Sequence, residues 1–205
     1  MQKTIAITLR ILLHAGALSP LLLLIWDFTQ GGLTANPIRE IQLRTGRYTL
    51  LLLTLTLACT PVYNFTGFRQ ALALRRPMGL YAFAYASLHL LNLVGLDYGF
   101  DFALLWEDIA EKRYIIAGFA AFLILLALAV TSTKGWVRRL GRNWQRLHWL
   151  IYVAGILAVL HYLWQIKIAI SAPFIYGIIV LVLLLLRVPA VSRVTMKYFK
   201  RKEGR

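Results

Sequence analysis

Six long apolar segments alternate with short polar segments along this chain. Each apolar segment is close to the ~20 residues that an α-helix needs to cross the hydrocarbon of a bilayer. The strict apolar/polar alternation of half-buried strands is not found. The pattern therefore predicts an all-α integral membrane bundle of six transmembrane helices, over roughly 9–26, 47–63, 78–95, 113–132, 147–164 and 171–188.

Composition agrees with a membrane protein. The 205 residues are 60% hydrophobic and the mean hydropathy is +0.67, whereas a soluble domain is about 45–50% apolar. At this length a single domain over residues 1–205 is expected. Cys59 is the one cysteine, which excludes an intramolecular disulfide and a thiolate-rich metal cluster.

The charged residues predict an orientation in the membrane. A net charge of +15 would suggest nucleic acid as a partner if the protein were soluble. With the N-terminus in the cytoplasm, however, most Lys and Arg fall in the inner segments 1–10, 64–77, 133–146 and 187–205, and nearly all acidic residues fall outside. This is the positive-inside pattern, so both termini are predicted to be cytoplasmic. The basic excess is then explained by topology and contact with anionic lipid, and nucleic acid is excluded as a partner.

Histidines are the candidate ligands of a redox centre. Ionisable side chains within membrane spans are costly and therefore default to functional candidates, although a lone histidine can also bond a neighbouring helix. His89 lies about 17 Å into the third span and His161 about 21 Å into the fifth, both counted from the cytoplasmic side. Two imidazoles at one depth suit the two axial positions of a haem iron. We therefore predict His89 and His161 as a pair of metal ligands.

A second site is predicted at the cytoplasmic end of the fifth span, around His148. The third span has no histidine at that depth, and three residues are candidates for the group opposite His148. Arg75 or Arg76 could clamp haem propionates or approach the iron, and His14 of the first span is the conventional competitor. Alternatively, His148 belongs to an interfacial belt with Trp144 and Trp149.

Helical phase separates the two predicted sites. The interval from His148 to His161 turns a straight helix by about 220° net, so the two side chains do not share one stripe. Either the helix is distorted near Gly155, or the two sites approach it from different sides.

Several segments together resemble one known family. These are 45–47, 75–89, 131–134, 141–148 and 161–164. The chain resembles MsrQ (YedZ), the haem-binding membrane subunits of the bacterial periplasmic methionine sulfoxide reductase system. It is more distantly similar to the transmembrane domain of ferric reductases and NADPH oxidases.

The resemblance implies a function and a ligand set. It implies two b-type haems in the bacterial inner membrane, with FMN as a further cofactor on resemblance alone. Electrons would come from the quinone pool or a cytosolic flavin reductase. They would leave to a periplasmic molybdopterin partner (MsrP-like) that reduces methionine sulfoxide, so the chain itself would carry no catalytic residue. By position, His89 and His161 match the bis-histidine ligands, and His148 matches a ligand of the second haem with Arg75 opposite.

Two other functions remain open at this stage. One is a self-sufficient membrane quinol or ferric reductase that needs no dedicated partner. The other is a haem-free structural or transport protein whose histidines bond neighbouring helices.

Overall fold

The fold is helical throughout the part of the chain that the structure covers. The computed structural model describes residues 2–165 and 171–187, and within them there are nine α-helices, one π-helix and no strand. The all-α prediction is confirmed. The α-helices are α1 Gln2–Thr29, α2 Pro37–Thr66, α3 Gln70–Leu91, α4 Phe102–Glu111, α5 Arg113–Val130, α6 Lys134–Leu140, α7 Arg142–His148, α8 Leu150–Gln165 and α9 Ser171–Leu185, and the π-helix is Asn92–Asp97.

Five stretches of helix are long and apolar enough to cross a membrane. They are Thr4–Thr29, Pro37–Thr66, Gln70–Asp97, Arg113–Val130 and Arg142–Gln165. They coincide with the first five predicted spans. The sixth prediction, 171–188, begins with the apolar helix α9, which at 15 residues is shorter than the others, and residue 188 lies outside the described residues.

The helix α2 begins earlier than the sequence pattern predicted. Residues 37–46 were expected in a loop, but Asn36 caps the helix through its Oδ1, which accepts from the Arg39 N–H at 3.0 Å. Pro37 occupies the first helical turn, where its missing N–H costs nothing. The polar side chains of this turn are paired within the fold: Arg44 donates to Asp27 of α1 at 2.5 Å and also to Glu40.

Two other predicted loops are also largely helical. Helix α3 begins at Gln70, so Arg75 and Arg76 lie on the helix itself and not in a connecting segment. In the predicted outer loop 96–112, Asp101 caps α4 by accepting from the N–H groups of Ala103 and Leu104, both at 3.0 Å.

Opposite charges collect at the two ends of the bundle. We call one end the acidic end, where α1 meets the start of α2 and where Asp27, Glu40, Asp101 and Asp108 lie. We call the other the basic end, which carries Arg69, Arg75, Arg76, Lys134 and Arg142. The core lies between them and is built on Leu53 and Leu57 of α2, each 1% exposed, with Ala82 of α3 and Ala154 of α8.

A proline in α2 leaves one main-chain carbonyl without the N–H that would normally donate to it. The side chain of Arg187 donates to that carbonyl instead. Pro61 has no N–H to donate to the carbonyl of Leu57, one turn earlier. The Arg187 Nη2 donates to that Leu57 oxygen at 2.5 Å, and its Nη1 donates to the Tyr152 hydroxyl at 2.6 Å. Arg187 therefore ties the end of α9 to α2 and α8.

This arrangement predicts a coupling between Pro61 and Arg187. Arg187→Met keeps the aliphatic stem but leaves the Leu57 oxygen unpaired, and we expect it to cost about 1–3 kcal/mol. In a Pro61→Ala background the same substitution should cost less, because the introduced alanine has an N–H of its own to donate to Leu57. The measurement is the free energy of unfolding of all four proteins in mixed micelles. Strictly additive effects would contradict the assigned contact.

A hydrogen-bonded trio orders the loop at the acidic end. The Tyr98 hydroxyl and the Lys112 ammonium both donate to Oδ2 of Asp108. The Lys112 ammonium and then the Tyr98 hydroxyl hold the pKa of Asp108 below its usual value. Burial, together with the hydrogen bond to Asp108, raises the pKa of Tyr98 to about 12.

The raised pKa of Tyr98 sets a pH window. Because the folded-state pKa lies above the ordinary value of 10, the stabilisation is complete below pH 10 and is lost as the pH rises towards 12. The tyrosinate absorbance of the wild type minus that of Tyr98→Phe reports the titration of Tyr98. We expect this titration near pH 12, the upper limit of the window. Asp108→Asn should move that titration down towards 10. A wild-type difference curve centred on pH 10 would contradict the hydrogen bonds assigned to this trio.

Candidate functional site

His89 is held on α3 by the first turns of α2. Its Nδ1 lies 3.0 Å from the Gln42 carbonyl oxygen and 3.4 Å from the Thr45 hydroxyl. Gly46 provides the space for the ring, because a Cβ at this position would lie 2.9 Å from His89 Cε1. The His89 imidazole therefore packs directly against α2, in the space left by the absence of a side chain at Gly46.

His161 is held on α8 in the same way by α5. Its Nδ1 lies 2.7 Å from the Tyr114 carbonyl oxygen. A Cβ on Gly118, one helical turn along α5, would lie 2.6 Å from that Nδ1. Each predicted ligand is thus backed by a glycine and by a main-chain carbonyl of the neighbouring helix.

These carbonyls fix the tautomer of both rings. A carbonyl oxygen only accepts, so each Nδ1 carries the proton and donates it, which leaves the lone pair on Nε2. Histidines that ligate metals are oriented by this kind of outer hydrogen bond. The ring centroids of His89 and His161 are 5.9 Å apart with an interplanar angle of 84°. The structure therefore brings together the two residues that were paired by their depth.

The donor set of this pair fits a haem iron. Among the described residues there is no group of three or more His, Cys, Asp or Glu side chains that could hold a metal ion, whereas a metal held by protein alone has three or four ligands. A haem iron takes its equatorial ligands from the macrocycle and needs only one or two from the protein. Two neutral imidazoles from facing helices meet that need.

Two amide side chains complete the surroundings of His89. Gln42 Nε2 lies 3.2 Å from His89 Nε2, and the Asn92 amide donates to Gln42 Oε1 at 2.6 Å. In this structure the Gln42 amide therefore caps the nitrogen that would bind a metal, and it must move aside when a metal binds there. Asn92 is the first residue of the π-helix that follows α3.

At the basic end, His148 is surrounded by aromatic and hydroxyl groups. Its ring stacks on Trp144 with centroids 3.9 Å apart, and its Nε2 lies 3.4 Å from the Thr131 hydroxyl. Trp144 also donates from Nε1 to the Thr131 carbonyl at 2.9 Å. Trp144, named with Trp149 as part of an alternative interfacial belt, thus stacks directly on His148, and Thr131 contacts the same ring from the end of α5.

The three residues considered opposite His148 differ in their surroundings. Arg75 is half-buried, and its positive charge acts on His148. Arg76 is exposed. His14 is engaged with α3, since its Nδ1 lies 2.8 Å from the Tyr81 hydroxyl. Which of the three completes a site with His148 stays a prediction.

The helix that carries both His148 and His161 is interrupted, but not where a distortion was considered. Helix α7 ends at His148 and α8 begins at Leu150, with Trp149 between them. The helix runs unbroken through Gly155, whose missing Cβ leaves room for Leu57 of α2, 3.1 Å from where it would lie. Gly155 therefore serves the packing of α8 on α2.

Four residues of this site were missed by sequence reasoning: Gln42, Gly46, Tyr114 and Gly118. Gly46 and Gly118 carry a weak signal, because a glycine inside an apolar span often marks the close approach of another group. Tyr114 carries none, because it acts through its main-chain carbonyl, and Gln42 contacts His89 both through its carbonyl and through its side-chain amide.

A family model and several known proteins match this chain. A family model described as "Ferric reductase like transmembrane component" matches residues 45–159. The chain is 48% identical over 188 residues to the protein-methionine-sulfoxide reductase heme-binding subunit MsrQ of Xanthomonas euvesicatoria pv. vesicatoria (strain 85-10), with 89% of this chain and 86% of the relative covered. The subunit of the same name from Rhodospirillum rubrum is 46% identical over 178 residues, covering 84% and 86%.

Proposed function

This chain belongs to the MsrQ heme-binding subunits, within the ferric reductase-like transmembrane family, and on that basis we propose that it carries electrons across the bacterial inner membrane to a methionine sulfoxide reductase. The acceptor is a periplasmic molybdopterin-containing partner of the MsrP type that repairs oxidised proteins. The donor is the quinone pool or a cytosolic flavin reductase. The chain is a multi-pass membrane protein and an electron-transfer subunit, and the sulfoxide chemistry belongs to the partner.

The observation that carries this proposal is the pairing of His89 and His161. They would hold a b-type haem through Nε2, and the haem iron would supply the one-electron redox chemistry. Each Nδ1–H donates to a carbonyl, which orients the ring and raises the basicity of the ligating nitrogen. A haem iron held by both residues would have no open position for oxygen and would suit electron transfer.

A second haem is proposed at the basic end, with His148 as ligand. Arg75 is the favoured residue opposite, because it is half-buried whereas Arg76 is exposed, and Arg76 and His14 are the alternatives. FMN, which was expected from resemblance alone, has no support in the contacts of the described residues and forms no part of the proposal.

Charge supports the orientation that we propose for the bundle. The basic end lies in the cytoplasm, as the positive-inside rule requires, and the bundle has six spans with both termini cytoplasmic. The acidic end then faces the periplasm. The pair His89 and His161 lies near that end, on the side from which the partner takes electrons.

The test is a reduced-minus-oxidised spectrum of the purified protein with haem quantitation, followed by transfer in proteoliposomes. We expect b-type bands, and oxidation of the reduced protein by added MsrP-type partner together with methionine sulfoxide. Oxidation by the sulfoxide without the partner would instead favour a self-sufficient reductase. A colourless preparation from haem-replete cells would favour the haem-free alternative.

A further inference from the structure

Helix α4 lies at the acidic end between two stretches that can cross a membrane. One stretch ends at Asp97 and the next begins at Arg113, and α4 is Phe102–Glu111. Its 10 residues extend over about 15 Å, which is half of the hydrocarbon thickness, so α4 cannot cross the bilayer. Both of its neighbours can, and α4 is therefore held close to the bilayer surface at each end.

Three aromatic side chains in and before α4 are exposed, and we call them the aromatic patch. Phe100 is 61% exposed, Phe102 is 65% exposed and Trp106 is 74% exposed. Trp106 is the most exposed large apolar side chain in the part of the chain that the structure describes. An apolar patch outside the membrane-spanning stretches marks a surface that another molecule or the membrane covers.

The turn before α4 fixes Phe100 against the end of a membrane-spanning stretch. Its φ is +63°, in the left-handed region that a bulky residue rarely adopts. Its N–H donates to the Val94 carbonyl at 2.8 Å, and its ring packs over Gly95, where a Cβ would lie 3.3 Å from the ring Cζ. The next residue, Leu96, is 55% exposed. The aromatic patch therefore continues the apolar surface of the stretch Gln70–Asp97.

Two sides of α4 are exposed, and they differ in chemistry. Phe102 and Trp106 are four residues apart and share one side of the helix. Glu107 and Glu111 are also four residues apart and are exposed. Each follows one of the two aromatic residues by five positions, so the acidic side lies about 140° round the helix from the aromatic side.

The third side of α4 faces the protein and fixes its rotation. Leu105, Asp108 and Ile109 are half-buried. Asp108 accepts from the Tyr98 hydroxyl and from the Lys112 ammonium. These bonds prevent α4 from turning about its axis, so the aromatic side stays outside.

The segment around α4 carries negative charge only. Residues 96–111 contain no Lys or Arg, and their acidic residues are Asp97, Asp101, Glu107, Asp108 and Glu111. Surface helices that bind anionic lipid by charge carry Lys and Arg on the polar side, so α4 does not bind in that way. What it presents to a bilayer is aromatic surface, and Trp is enriched where the membrane meets water.

We propose that α4 lies along the bilayer surface at the acidic end, with the aromatic patch inserted among the phospholipids and the acidic side facing water. The patch contacts lipid and not a second protein, because it continues the lipid-facing surface of Gln70–Asp97 and both ends of α4 join membrane-spanning stretches. Apolar burial drives the insertion, so it does not need anionic lipid. The proposal uses the membrane location of the family and not the proposed electron transfer.

Site-directed spin labelling of the purified protein in phosphatidylcholine liposomes tests the proposal. A nitroxide is attached to Phe102→Cys, Trp106→Cys, Leu104→Cys or Glu107→Cys, one position at a time. The chain has one cysteine, Cys59, which is 5% exposed, so the wild type provides the blank, and Cys59→Ala is the background if the blank is labelled. Collisions with molecular oxygen, which concentrates in hydrocarbon, are compared with those of NiEDDA, a nickel chelate that stays in water.

We expect the ratio of oxygen to NiEDDA collisions to be about tenfold higher at 102 and 106 than at 104 and 107, because a polar solute is excluded from the bilayer. Leu104 is the matched control, since it is apolar and 48% exposed but lies about 160° from both Phe102 and Trp106. Equal ratios at the four positions would overturn the proposal. A contrast that appears only after phosphatidylglycerol is added would overturn apolar burial as its cause.

Addition of the MsrP-type partner tests the competing occupant. If the nitroxides at 102 and 106 collide with NiEDDA until the partner is added and become immobile only then, the patch binds protein and the lipid proposal is wrong. We expect the partner to leave both positions unchanged. The collision rates involve no electron transfer, so a failure of the proposed function would not alter them.

A second measurement keeps every other side chain native. Trp106→Phe removes one of the six tryptophans, so the emission of the wild type minus that of the variant reports Trp106. Brominated phospholipid should quench most of this difference emission, and iodide in the water should quench little of it. Quenching by iodide alone would overturn the insertion of Trp106.

Discussion

Replacing His161 or His89 by alanine is expected to abolish the low-spin haem signal of the acidic end. Both imidazoles would hold the same haem iron, so the loss of either would remove one of its two protein ligands. The measurement is the reduced-minus-oxidised spectrum and the low-spin electron paramagnetic resonance signal of purified protein, with haem quantitation. The haem content should fall with the signal.

The remaining histidines provide matched controls for this experiment. His14→Ala removes a contact with Tyr81 and should leave the signal of the acidic end unchanged. His148→Ala should affect only a haem at the basic end. If purified His89→Ala keeps full haem content and an unchanged spectrum, the ligand assignment is wrong.

A single added methyl group at Gly118 is expected to have nearly the same effect as removing His161. The Cβ of Gly118→Ala would lie 2.6 Å from His161 Nδ1, closer than any ordinary contact, and both groups sit on packed helices. The ring must move, and the hydrogen bond to the Tyr114 carbonyl is lost. We expect most of the low-spin signal to disappear, although alanine is favoured over glycine inside a helix by about 1 kcal/mol.

Alanine substitutions at other glycines of the bundle show what causes the loss of signal. The cause is either the close contact with the histidine or the replacement of any glycine by alanine. Gly46→Ala would place its Cβ 2.9 Å from His89 Cε1, Gly177→Ala would make an ordinary 3.5 Å contact with Val159, and Gly16→Ala would meet nothing within 4 Å. The loss of signal should therefore decrease in the order Gly118, Gly46, Gly177, with no loss at Gly16. Equal spectra for the Gly118 and Gly177 variants would contradict the seating of His161.

Hydropathy alone was enough to place five candidate membrane helices, but not their ends. The start of α2 was missed because Arg39, Glu40 and Arg44 resemble a solvated loop. Asn36 caps the turn by accepting from the Arg39 backbone N–H, and Arg44 pairs with Glu40 and with Asp27 of another helix. Such pairing across helices is not encoded in the local pattern, so a polar helical turn is easily taken for a connection.

The depth of the candidate ligands followed from the helical rise, whereas their surroundings did not. Counting along two spans was sufficient to bring His89 and His161 to one height. Tyr114 could not be found, because any residue presents the same carbonyl, and the side-chain contact of Gln42 with His89 joins two helices that the local pattern does not relate. The irregular turn at Trp149, where the chain stays in right-handed helical dihedral angles, was also not predicted, because no proline or glycine marks it.

The bond between Arg187 and Leu57 also has a consequence for biosynthesis. The acceptor lies on the second helix and the donor 130 positions later in the chain. At about 5–20 residues per second a ribosome would need roughly 7–26 seconds to reach it. During that interval the carbonyl opposite Pro61 has no protein donor within the membrane, so the first helices remain an unfinished assembly until α9 is inserted. Within the described residues, the end of α9 therefore completes the hydrogen bonding of α2.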